Sequence, residues 1–151
     1  MGRYFLLAIG LGHPRFLQTD LNLILQIIIL AIIFVSLFYK RKTNFKVHGA
    51  TMGIAVILQI IAFILVMGPT FFNNFDFFSM STSVAAVQTA WIHAVPGAIA
   101  LLLGIYLVTR WAVKTSNVAG CYKRKRIMDV TIGLWIFSLL FGIATYVLIY
   151  L

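Results

Sequence analysis

The sequence predicts an all-α fold: a four-helix transmembrane bundle with both termini outside and a short N-terminal interfacial segment. Three observations carry that expectation. Of 151 residues, 62% are hydrophobic and only 10% are charged, whereas soluble domains carry about 25% charged residues. Four apolar stretches, near 21–39, 47–70, 84–109 and 127–151, each approach the roughly twenty residues that a helix needs to cross the hydrocarbon. Ten of the twelve Lys and Arg fall in the connections after the first and third stretches. A backbone in lipid must satisfy its own hydrogen bonds, so the stretches are read as helices forming one domain over 21–151.

Residues 1–20 precede the first span. Tyr4 to Gly12 is too short to cross a membrane, and an interfacial or re-entrant segment ending at His13-Pro14 is expected. Met1-Gly2-Arg3 and the apolar run after it resemble a short signal peptide. No small-x-small cleavage site follows, so the segment is read as retained.

The first span ends on Lys40-Arg41-Lys42, with Lys46 close behind, and the third is followed by Arg110, Lys114 and Lys123 to Arg126. The 71–83 connection has no Lys or Arg. The positive-inside rule then places the basic connections in the cytoplasm and both termini outside, in a multi-pass protein of the cell membrane. Anionic lipid headgroups account for the net charge of +9, and no nucleic-acid partner is expected. Cys121 is the single cysteine and lies in a basic connection, which rules out an internal disulfide.

Within the second span, Gly49 and Gly53 form a small-xxx-small pair. On the third, Ala90, Ala94 and Ala98 form a small-residue stripe, and both features are read as helix-packing surfaces. Pro96 is expected to kink the third span by removing the bond to the Ile92 carbonyl. The 71–83 connection mixes phenylalanine with Asn, Asp and Ser, which suits the interfacial aromatic zone or a partner surface.

Polar groups inside lipid are costly, so the few that occur are the candidate sites: Gln26, Gln59, Gln88, His93, Thr131, Ser138 and Thr145, with His48 and Asp129 near the inner boundary. His93 and Gln59 come to a similar depth, roughly 13 Å from the outer ends of their helices, and a contact between them is expected. His48 and Asp129 stand at the inner ends of their helices and are expected to form an ion pair. On this reading His93→Ala costs more stability than His48→Ala, because it strands Gln59 in low dielectric.

His93 is also the candidate cofactor ligand, for haem or copper. His48 and His93 lie about 20 Å apart in depth, too far to share one iron. A copper site drawing on His13, His93 and Met80 is the other metal alternative. With three carboxylates, all near boundaries, and no phosphate loop, HExxH or nucleophile elbow, no catalytic activity is expected of the chain alone.

Three segments together resemble the small four-helix CtaM/YozB-like membrane proteins, a domain family linked to haem-copper oxidase assembly. They are Lys46 to Met52, Trp91-Ile92-His93-Ala94, and the basic run leading through Thr131 to Trp135, Gly142 and Tyr146. The resemblance carries over His48 and His93, with Trp135 and Tyr146 as packing positions. Further histidines common in the family are replaced here by Phe71-Phe72 and by Lys123 to Arg126. The resemblance implies a non-enzymatic accessory or assembly subunit of a multi-subunit membrane metalloenzyme, of respiratory oxidase or copper monooxygenase type. Its partners would be other membrane subunits and lipids, with no cofactor bound by this chain alone. The alternative is a b-type haem or quinone-linked electron-transfer protein using His93.

Overall fold

The computed structural model describes residues 14–80, 83–113 and 123–150. Helix α1 runs Pro14–Arg41, α2 Phe45–Ala62, and a π-helical turn Phe63–Met67 leads into α3, Gly68–Asn73. Helix α4 is Phe75–Met80, α5 Ala85–Val113 and α6 Lys125–Tyr150. Four stretches are long and apolar enough to cross a membrane: Thr19–Arg41, Phe45–Asn73, Ala85–Val113 and Lys125–Ile149. The chain is therefore a multi-pass membrane protein built as an all-α bundle. Residues 1–13 of the expected interfacial segment, including His13, and Lys114 and Cys121 lie outside the described residues. Residues 14–20 are not separate from the first span, because α1 starts at Pro14, where proline's missing N–H costs nothing.

The connection from α1 to α2 is tight for a reason the backbone makes plain. Asn44 N–H donates to the Tyr39 carbonyl and Thr43 N–H to that of Lys40, both at 3.0–3.1 Å, the bond pair of a Schellman helix end. That motif needs a left-handed residue after the helix, and Thr43 supplies it with φ of 58°. Asn44 then caps α2, its side-chain oxygen accepting from Val47 N–H at 3.3 Å. A β-branched residue is strained at positive φ. Thr43→Gly is accordingly expected to raise stability by about 0.5–1 kcal/mol, read as a higher unfolding midpoint; a lower midpoint contradicts it.

The second span differs from expectation at its far end. Pro69 has no N–H to give the turn before it, and the helix widens there: Gly68 N–H reaches the Phe63 carbonyl, five residues back. The chain then stays helical through α3 and α4, so most of the expected 71–83 connection is helix. Phe71 sits among Phe72, Phe75, Phe78 and Trp91, with ring centroids 5.5–6.0 Å away. Trp91 Nε1–H donates to the Phe78 carbonyl at 3.1 Å, tying this aromatic end to α5.

Helix α5 packs chiefly on α6, and α1 on α2, with α2 against α5 and α1 against α6 closing the ring. The core is Ile29 and Ile33 of α1, Met52, Ala55 and Val56 of α2, Ala100 of α5, and Ile132, Trp135 and Leu139 of α6. Gly49 and Gly53 of α2 do meet α5, facing Trp111 and Val108. Glycines mark the close approaches of α5 and α6 to their neighbours. Gly97 lies against Ser138, Gly104 against Val56 and Trp135, and Gly142 against His93. Ala98 is exposed and Ala90 and Ala94 are half-buried.

Candidate functional site

Two histidines are held by the same device on two helix pairs. Between α2 and α1, His48 Nδ1 lies 3.0 Å from the Ser36 carbonyl and 2.7 Å from Ser36 Oγ. Ser36 Oγ–H returns a bond to the His48 carbonyl at 3.1 Å. Between α5 and α6, His93 Nδ1 lies 2.7 Å from the Ser138 carbonyl, and Ser138 Oγ–H donates to the His93 carbonyl at 2.7 Å. A carbonyl only accepts, so the network assigns the proton to Nδ1 in both rings.

The sequence prepares each site differently. Ser36 and His48 are twelve residues apart across the tight turn, so two antiparallel helices bring them level. His93 reaches α6 because Gly142 has no side chain; a Cβ there would lie 2.8 Å from His93 Nδ1. Ser138 answers a carbonyl in the turn just before Pro96, where the proline disturbs the helical ladder. The accepting carbonyl is that of His93, one residue beyond the Ile92 carbonyl expected from the sequence.

The free faces of the two rings differ as well. His48 is 3% exposed, and its Nε2 meets Met128 Sδ of α6 at 3.3 Å. His93 is only half-buried, and its Nε2 has no hydrogen-bond partner among the described residues. The contacts reach α6 ten residues apart, at Met128 and Ser138, which puts them roughly 15 Å apart in depth.

Both expected pairings are corrected. Asp129 pairs with Lys40 across α1 and α6, not with His48. His48 turns inward to Ser36, whereas Asp129 is 48% exposed at the rim, where a long lysine side chain reaches it more easily. Gln59 Nε2 donates to Met67 Sδ at 3.7 Å, not to His93, because α5 presents His93 to α6.

Other polar groups are buried without partners among the described residues: both amide atoms of Gln26, Gln59 Oε1, Asn22 Oδ1 and Asp20 Oδ2. Asp20 Oδ1 accepts from the Tyr146 hydroxyl, which links α1 to α6 near the end remote from the basic turns. Gln26 stands fifteen residues from Arg41, and Gln59 fourteen from Phe45, so both amides lie at one level roughly 21 Å from that basic end. They form a polar layer inside the apolar bundle.

These side chains can be tested against the cofactors raised by the sequence. An imidazole with Nδ1–H on a backbone carbonyl and Nε2 free is oriented as a metal-bound histidine is, and His93 meets that description. A haem held by two histidines of this chain does not fit, given the separation of His48 and His93. For a soft ion, His48 Nε2 and Met128 Sδ supply two donors; among the described residues no three His, Cys, Asp or Glu side chains converge. Of the residues involved here, Ser36 and Met128 escaped the positions read from sequence, and Gly142 was noted only as a motif residue, without its contact to His93. A serine facing a histidine across a short turn is the one signal that could have found Ser36. Compared with protein-family models, curated proteins and solved structures, the chain finds no match.

Proposed function

We propose that the chain is a non-catalytic accessory or assembly subunit of a multi-subunit membrane metalloenzyme, of respiratory oxidase or copper monooxygenase type. Its basic turns would face the cytoplasm and both termini the outside. The resemblance to CtaM/YozB-like proteins suggests the class of complex. The observation that carries the subunit reading is the cover on α5: its most apolar window is 11% buried, against 22–28% for the other three spans. On that helix Ala98 is exposed, Ala90 and Ala94 are half-buried, and Leu102 is 68% exposed. Such a face suits close packing by a helix from another subunit.

The test is purification from native membranes in mild detergent, with metal and haem analysis of whatever remains bound. Ala98→Leu is expected to release the metalloprotein partner while shifting the isolated chain's stability by less than about 0.5 kcal/mol. Recovery of the wild-type chain as a monomer with no metalloprotein attached would defeat the proposal. The second reading, electron transfer through a haem on His93, rests on the free Nε2. A Soret band in the chain purified alone would favour it; a spectrum without chromophore would end it.

A further inference from the structure

At the basic end of the bundle, α1, the Thr43 turn, the start of α2 and the first turn of α6 border a half-open cavity of about 270 Å³. Its charged walls are Lys40, Arg41 and Lys125, and its apolar walls include Leu37, Phe45 and Met128. We propose that this cavity binds the phosphate headgroup of an anionic phospholipid.

The chain has three acidic side chains in all. Asp20 and Asp76 belong to the opposite end of the bundle, and Asp129 is taken by Lys40. No intrachain carboxylate side chain is left for Arg41 or Lys125, and the cavity walls contain none. The first turn of α6 carries no acidic residue, so its N–H groups add positive potential beside Lys125 and Met128.

The cavity's position and shape also suit a lipid. Arg41 ends one span, Phe45 begins the next and Lys125 begins the last, so the cavity opens at the depth where headgroup phosphates lie. Phe34, Leu37, Phe38 and Arg41 follow helical i, i+3, i+4, i+7 spacing and share one face of α1. Phe34 and Phe38 are more than half exposed, giving an acyl chain an apolar track that leads to Arg41. Lys42 sits over the Phe38 ring, 4.4 Å from its centroid, so a cation also stands beside that track. Basic pockets between spans are built this way for anionic lipids. Free phosphate would gain the charge contacts but leave the apolar walls and the track unused.

Native mass spectrometry of the full chain in detergent, with phosphatidylglycerol, phosphatidylcholine or inorganic phosphate added, decides the matter. Phosphatidylglycerol is expected to be retained over phosphatidylcholine. Affinity should fall roughly fivefold per basic residue removed, so about thirtyfold in Arg41→Gln/Lys125→Gln. Arg41→Lys keeps the charge and should keep the adduct, and Arg110→Gln, outside the cavity, should leave retention unchanged. Both cavity substitutions are at exposed positions, and an unchanged circular dichroism spectrum confirms that the double variant is folded. Equal retention of the two lipids, full retention by the double variant, or competition by inorganic phosphate as effective as by the lipid would each overturn the assignment.

Discussion

His48→Ala is expected to destabilise the detergent-solubilised protein by about 3 kcal/mol, more than His93→Ala. Truncating a ring that is 3% exposed leaves a cavity among packed side chains, worth at least about 2 kcal/mol for a group of this size. The lost contacts add to that. The Ser36 carbonyl and hydroxyl lose the imidazole Nδ1–H, while the Ser36 bond to the backbone carbonyl of residue 48 survives the substitution, and Met128 loses the ring it packs against, at roughly 0.6 kcal/mol per interhelical hydrogen bond in a membrane protein. His93 is half-buried with one nitrogen unpartnered among the described residues, so a loss nearer 1–2 kcal/mol is expected from its removal. Unfolding both variants by titration with a denaturing detergent measures the difference. A larger loss for His93→Ala would restore the order that depth alone suggests, and with it a role for Gln59 that the structure does not give.

That reversal shows where the sequence is informative. The four spans were legible because each is an apolar run of the right length, and four such helices stand in the structure. The list of buried polar residues was legible in part: His48, Gln26, Gln59, Thr131 and Ser138 are buried, whereas Gln88 is exposed, His93 and Thr145 are half-buried, and Asp20 and Ser36 are buried without having been singled out. Pairing was not legible. Depth along a helix axis constrains height but says nothing of rotation, so Gln59 and His93 can lie level and still face different neighbours.

Rotation also limits what the alanine stripe tells: Ala98 is exposed, whereas Ala90 and Ala94 are half-buried. Spacing shows that Ala90, Ala94 and Ala98 share a face, but it does not say which face turns inward. His93, Gly97, Ala100 and Gly104 have equally good spacing, and these are the positions that meet other helices. Helix ends were blurred by chemistry rather than geometry. Aromatic and Asn/Asp/Ser composition reads as a connection, yet α3 and α4 persist through it, held by rings packed around Phe71.

Two glycine-to-alanine substitutions on α6 are expected to move stability in opposite directions. Alanine is favoured over glycine inside a helix by about 1 kcal/mol, so propensity alone predicts a gain at both Gly133 and Gly142. At Gly133 nothing lies within 4 Å of an added Cβ, and Gly133→Ala should show that gain. At Gly142 the same atom would lie 2.8 Å from His93 Nδ1 and 2.9 Å from Cε1, closer than contact allows. The ring cannot retreat without abandoning the Ser138 carbonyl, so overpacking and the lost crosslink together outweigh propensity, for a net loss of about 2 kcal/mol. A double-mutant cycle isolates the cause. In a His93→Ala background there is no ring to displace, and Gly142→Ala should turn neutral or stabilising; a loss that persists there would place the clash elsewhere and remove Gly142 as the gate through which His93 reaches α6.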